Sequence, residues 1–171
     1  MTASKHFSLP YSGMKDGMHH YSMHVDDQFF NSFDQSLISG GNFVVDIDVD
    51  KRSGMSVLIF RINGLVSTTC DRCLADIRLP VETDKILHIK IGNPEDSDDE
   101  VIYIEEDAIN LDLSSVIFEF ICLALPLMKI IDCERLNPRP CNMDVLSHLN
   151  HNDDNENDKE DDWNVFKDFK L

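Results

Sequence analysis

The chain has 171 residues and carries 32 acidic against 15 basic side chains, a formal charge of -17. This length fits one domain with a tail and excludes a multidomain enzyme. The excess of acid argues against wholesale binding to a phosphate backbone, which needs clustered Lys and Arg. No apolar run is long enough to cross a bilayer, and residues 1–6 lack a signal-peptide pattern, so we expect a cytoplasmic protein. Five cysteines in that reducing compartment favour metal binding or free thiols over disulfides.

The first half of the chain predicts mainly β-strands. Residues 18–25 suit a strand, and residues 26–30 suit a short helix with an acidic start. Residues 43–66 predict a hairpin, because a β-branched, apolar stretch follows a turn at 51–54. Alternation of apolar and polar residues is typical of half-buried strands, and it marks Val45, Ile47 and Val49, and then Leu87, Ile89 and Ile91.

One longer helix is predicted over residues 113–125. Asp112 suits its N-cap, and Pro126 stops it. The run between them is apolar nearly all round, so we expect the helix to be buried against the sheet. The predicted fold class is therefore α+β, mainly antiparallel β-sheet with one buried helix and a short C-terminal helix.

Two acidic stretches suggest how the chain is organised. Residues 93–107 hold eight acids, and residues 153–162 hold seven against one Lys. Like charges this dense resist packing, so we expect an exposed loop at 93–99 and a disordered linker at 150–161, after a single domain over 1–149.

Beyond the linker, Trp163, Phe166 and Phe169 recur at the spacing of one helix face. A helix over residues 162–171 is too short to be stable alone, so we expect it to dock. Two roles stay open: a recognition helix, which binds its own domain or another chain such as a ribosomal component, and a helix that only caps the core.

Four cysteines form the candidate metal site. Cys70 and Cys73 have two residues between them, and two thiolates at this spacing can bind one tetrahedral Zn(II) from a tight turn. Cys133 and Cys141 would complete a four-sulfur site, although their seven intervening residues exceed the usual two to four. The sequence thus predicts Zn(II) as a cofactor at these four positions.

Other interpretations of the cysteines remain open. His148 or His151 could replace one thiolate, and Cys122 in the apolar helix is expected to be a core residue. A thioredoxin-like redox pair would sit where a strand feeds a helix, whereas residues 74–80 look extended. Cys70 and Cys73 could also be two free thiols in a turn.

Several segments resemble a known family. Residues 69–74, Thr-Cys-Asp-Arg-Cys-Leu, follow a hairpin and are similar to the Cys-x-Arg-Cys-Leu signature of the YceD family, the large ribosomal RNA subunit accumulation proteins. The resemblance covers roughly residues 8–171. Its other similar segments are the helix end at 119–126, residues 141–146 and the terminal motif at 163–171.

The resemblance implies a small bacterial protein with many antiparallel strands, needed for normal amounts of large-subunit ribosomal RNA and acting in ribosome assembly without enzymatic activity. Cys70 and Cys73 match the paired cysteines of the family, and Cys141 matches the later one. Cys133 lies where the pattern is less fixed, and the Cys-Gly pairs that many members have near the end are absent here.

We therefore expect a non-enzymatic ribosome biogenesis factor, and its partner has two interpretations. The acidic loop and linker could neutralise a basic ribosomal protein. Alternatively, precursor RNA could bind a basic patch made of Lys51, Arg52, Arg61, Arg72 and Arg78. Arg72, held in the turn, could contact phosphate or carboxylate with two bonds, or form an ordinary surface ion pair. A thiol redox protein using the paired cysteines is the alternative function.

Overall fold

The structure is a computed structural model, and it describes residues 7–33, 38–98 and 100–150. Its contacts divide the chain into two compact units. Of the described residues, unit 1 contains 7–33, 38–68, 78–98 and 100–129, and unit 2 contains 69–77 and 130–150. The predicted linker, apart from Asn150, and the predicted helix 162–171 lie outside the described residues. The predicted domain boundaries stay a prediction.

The described part of the chain contains seven strands and three α-helices. In chain order they are β1 (Ser8–Leu9), β2 (Gly17–Val25), α1 (Asp27–Phe30), β3 (Gly40–Arg52), β4 (Met55–Thr69), β5 (Asp76–Ile91), β6 (Val101–Ile104), β7 (Leu111–Asp112), α2 (Ser114–Leu123) and α3 (Met143–Asn150). Short 3-10 helices lie at Pro94–Asp96 and Cys133–Arg135. None of the helices in the described ranges is long and apolar enough to span a membrane.

A five-stranded sheet with the order β2-β3-β4-β5-β6 dominates the fold. The pairs β2–β3 and β3–β4 are antiparallel, whereas β5 and β6 run parallel. Strands β1 and β7 form a separate antiparallel pair. The predicted class, α+β with a mainly antiparallel sheet, is confirmed.

The predicted hairpin is confirmed and is longer than predicted, because β3 and β4 together extend from Gly40 to Thr69. Gly54 in the connecting turn has φ +81°, a left-handed conformation that glycine adopts at low cost. The alternating apolar residues of β3 lie on one face of the sheet and are fully buried: Val45, Ile47 and Val49. Opposite them in register lie apolar residues of β4, and the facing pairs are Val45–Ile62, Ile47–Phe60 and Val49–Leu58.

Helix α2 is shorter than the predicted 113–125, since it begins at Ser114 and ends at Leu123. The predicted N-cap, Asp112, lies one residue too early: Leu113 occupies the N-cap position, and Asp112 Oδ1 accepts the Ser114 N–H at 2.9 Å. The buried face holds Ile117, Phe120 and Ile121, but Leu123 is 65% exposed. The helix is therefore buried on one face and open to solvent near its end.

Two smaller helices differ in how well the sequence indicated them. Helix α1 was predicted with its acidic start, and Asp26 caps it by accepting the N–H groups of Gln28 and Phe29. Helix α3 was not predicted. Its start is marked by Asn142, whose side-chain oxygen accepts the N–H groups of Asp144 and Val145 at 3.2 and 3.4 Å.

Candidate functional site

Cys70 and Cys73 lie in a tight turn between β4 and β5. The Cys70 N–H donates to the carbonyl of Ala75 at 2.8 Å, and the Leu74 N–H donates back to the carbonyl of Cys70 at 2.9 Å. Leu74 completes the reversal with φ 58°, which is unusual for a residue other than glycine. These bonds fix the backbone around both sulfurs.

The two sulfurs are buried, and the backbone supplies them with donors. Cys70 and Cys73 are each 3% exposed. The N–H groups of Ala75 and then Asn142 donate to the Cys73 sulfur and lower the pKa of that thiol, with smaller contributions from the Cys70 thiol and the Arg72 charge. Hydrogen bonds to the charged form favour it, so these donors shift the Cys73 thiol toward the thiolate, although burial acts in the opposite direction.

The second cysteine pair belongs to the same unit. Asn142, which donates to the Cys73 sulfur, directly follows Cys141. Cys141 is joined to Cys133 in a disulfide with a Cα–Cα distance of 6.5 Å. The preference for metal or free thiols over disulfides did not anticipate this bond, which removes two sulfurs as thiolate ligands. Among the residues that the structure describes, no group of three or more His, Cys, Asp or Glu side chains is arranged to hold a metal ion.

The remaining candidate ligands are Cys122, His148 and His151. Cys122 is a free, half-buried thiol on α2, and burial raises its pKa. His148 is exposed on α3. The other predicted site residues lie outside the described part of the chain: His151, Trp163, Phe166 and Phe169.

The predicted basic patch is largely occupied by contacts within the chain. Lys51 Nζ donates to the backbone carbonyls of Tyr11 and Met14 at 2.6 and 2.7 Å. The same ammonium lies 4.5 Å from the centre of the Tyr11 ring, a cation–π contact. Lys51 therefore holds residues 11–14, and its ammonium group already has contacts within the chain.

Two arginines of the patch are paired with aspartates of β3. Arg52 donates to Asp50 at 2.5 Å, and Arg61 donates to Asp48 at 2.6 Å. A hydrogen bond from the His20 ring and then one from Arg61 hold the pKa of Asp48 below its usual value. Three of the five predicted basic residues are thus satisfied internally, while Arg72 and Arg78 are exposed in different units.

The acidic segment, residues 93–107, is exposed along most of its length. The segment includes β6. In the turn before this strand, Asp98 accepts hydrogen bonds from the N–H groups of Glu100 and Val101 at 2.9 and 2.7 Å. These bonds lower the pKa of Asp98. None of the ion pairs within the described ranges reaches this segment. Its exposed carboxylates are Glu95, Asp96, Asp98, Glu100, Glu105, Glu106 and Asp107.

Comparison with known proteins gives one match. A family model described as large ribosomal RNA subunit accumulation protein YceD matches residues 58–170, more than half of the chain. The match includes the cysteine turn, the acidic segment and α2. No curated protein and no solved structure matches the chain.

Proposed function

The chain belongs to the YceD family of large ribosomal RNA subunit accumulation proteins, and we propose that it supports this accumulation as a non-enzymatic factor that binds a basic ribosomal protein. The family name gives the role in large-subunit ribosomal RNA accumulation. In this proposal the chain acts in the cytoplasm, where its acidic residues neutralise Lys and Arg side chains of the partner and prevent their premature contact with RNA.

The pairing of Lys51, Arg52 and Arg61 within the chain is the observation that carries the choice of partner. Binding to RNA would have to break these contacts or rely on fewer cations, and affinity for a phosphate backbone rises with each cation that meets a phosphate. None of the ion pairs in the described structure involves the carboxylates of the acidic segment, although the Lys90 charge helps to lower the pKa of Asp98. A protein surface rich in Lys and Arg would complement these carboxylates, and such complementarity raises both the association rate and the specificity of binding.

Competition with free ribosomal RNA tests this proposal. The purified chain is immobilised and incubated with a total ribosomal protein extract, in the presence and absence of excess precursor ribosomal RNA. We expect the chain to capture one or a few basic ribosomal proteins, RNA to compete for those proteins in solution, and labelled RNA alone not to be retained. Retention of RNA by the chain with no ribosomal protein bound would contradict the proposal.

We further propose that Cys70, Cys73, Cys133 and Cys141 bind Zn(II) when all four are reduced. The first pair fits a metal, since its sulfurs are buried together and one receives two backbone N–H groups. The second pair fits only after a dithiol reductant has reduced its disulfide: the reductant gives up two electrons and two protons and becomes a disulfide itself, and Cys133 and Cys141 become two thiols. Bound zinc would stabilise unit 2, because ligands that meet only in the folded chain add their binding free energy to folding.

A thiol redox protein is the second candidate function, and the lowered pKa of the Cys73 thiol favours it. The burial of both sulfurs weighs against it, because a catalytic thiol must reach its substrate. The rate at which the reduced chain reduces a standard protein disulfide distinguishes the redox function from the proposed ribosomal function. We expect no reduction faster than that by a Cys70→Ser, Cys73→Ser variant, and a clear excess over this variant would favour the redox function.

A further inference from the structure

One face of α3 is left partly open in unit 2. Its residues Met143, Leu146 and Leu149 recur every three positions and so share a face. Leu146 is half-buried, but Met143 is 59% exposed and Leu149 49% exposed. A helix of eight residues is not stable on its own, and it needs its apolar face covered. We call these three residues the α3 face.

We propose that the chain's own C-terminal segment, residues 162–171, binds the α3 face. The segment follows α3 after residues 151–161, and 11 extended residues at roughly 3.3–3.6 Å each span about 36–40 Å, more than enough to return to the helix. Because the two are joined by a short linker, the segment is present at a high effective concentration that a separate partner must exceed.

The chemistry of the two surfaces matches. Trp163, Phe166 and Phe169 have the same three-residue spacing as the α3 face, so the predicted helix over residues 162–171 would carry a row of the same length, about 9 Å. Lys167 and Lys170 in the segment complement the exposed carboxylate of Asp144 on α3. The site does not depend on the proposed ribosomal role, and it assigns the segment to unit 2 of the same chain.

Fluorescence of Trp163 tests the docking, because this is the only tryptophan in the chain. In the full-length protein we expect blue-shifted emission and protection from acrylamide, relative to a peptide of residues 162–171. The variant Met143→Glu, Leu149→Glu should shift the emission to the red and raise the quenching constant to that of the peptide. Met18→Glu is the matched control, since Met18 is 66% exposed on β2 in unit 1, and it should leave both quantities unchanged.

A second variant covers the case in which the α3 variant does not fold, and three results would overturn the proposal. If the α3 variant does not fold, as judged by circular dichroism, the variant Phe166→Ala, Phe169→Ala replaces it and should expose Trp163 while the melting of the sheet is unchanged. Peptide-like quenching of the unmodified protein would overturn the proposal, as would protection that survives the α3 variant. Protection that disappears on dilution would also overturn it, because the segment would then lie on a second chain.

Discussion

Backbone N–H groups lower the pKa of the Cys73 thiol. Its donors are the N–H groups of Ala75, in the same turn, and Asn142, more than sixty residues away in the chain. The paired cysteines could be identified from their spacing alone. The contribution of Asn142 could not, because it depends on how residues 130–150 return to the turn.

The titration of Cys73 follows from these donors. The native pKa lies below the unfolded one, so the thiolate's contribution to stability is full above the unfolded pKa and is lost as the pH falls through the native pKa. In the reduced, metal-free chain, thiolate absorbance should therefore begin to rise below the usual pKa of a thiol, about 8.5. Cys73→Ser should abolish this early component, whereas Cys122→Ser should retain it, since burial raises the pKa of Cys122. An early component that survives in Cys73→Ser would contradict the assignment.

Leu74 is a second residue whose backbone, rather than its side chain, matters. Its φ of 58° is costly for a residue with a Cβ, and its side chain is 62% exposed, so little packing would be lost on truncation. We expect Leu74→Gly to raise the free energy of unfolding by roughly 0.5–1 kcal/mol, after allowance for the greater freedom of glycine in the unfolded chain.

The control for this glycine substitution is Leu136→Gly. Leu136 is 47% exposed in the same unit but has φ -95°, where glycine has no advantage. It should destabilise the protein in a urea titration. A loss of stability in Leu74→Gly of the same size would show that the turn carries no such strain.

Regular elements were predicted best where the sequence alternates strictly. The hairpin was recognisable because residues of β3 alternate and an apolar, β-branched stretch follows the turn, and α1 was recognisable because its start is acidic. Helix α3 was missed, because eight residues that include Asn, Ser and His give a weak helical signal. The pairing of β1 with β7 was missed too, since two-residue strands have no period to detect.

The two faces of β4 should respond differently to truncation. Phe60 is fully buried, and its ring meets that of Phe120 edge-on, with centroids 5.2 Å apart. Phe60→Ala should lower the free energy of unfolding by about 3–5 kcal/mol. The neighbouring Ile59, 36% exposed on the other face, should lose about 1 kcal/mol or less when changed to Ala. Equal losses in a urea titration would show that β4 does not have the register described.

Unit 2 combines two stretches of chain that are far apart in sequence, and the proposed zinc ion would join them through one cysteine pair from each. After reduction and addition of zinc, we expect about one zinc per chain and a melting temperature that falls in a strong chelator. Cys133→Ser, Cys141→Ser should weaken retention of the metal, whereas Cys122→Ser should not. Full thiol titration of the native, zinc-treated protein with no metal retained would contradict the proposed site.

The chain has a formal charge of -17, and its carboxylates differ in whether they are paired with basic side chains. On the sheet, Asp48 and Asp50 are occupied by Arg61 and Arg52, so this face is close to balanced. The acidic segment keeps its carboxylates exposed, and none of them forms an ion pair in the described ranges, although the Lys90 charge acts on Asp98. The sequence predicted an acidic protein with a small basic patch, and the structure shows that Arg52 and Arg61 of this patch are already paired with aspartates of the chain itself.

Matched charge variants test most directly whether the acidic segment binds the basic partner. One variant carries Glu105→Gln, Glu106→Gln and Asp107→Asn, and its control loses the same charge through Asp16→Asn, Glu82→Gln and Glu119→Gln, all exposed acids elsewhere in unit 1. Binding of the captured ribosomal proteins is measured by titration at two salt concentrations. We expect the first variant to lose affinity and salt dependence relative to the control, because it removes charges that face the partner. Equal affinities for the two variants, or a gain of RNA binding as the only change, would contradict the proposed role of the acidic segment.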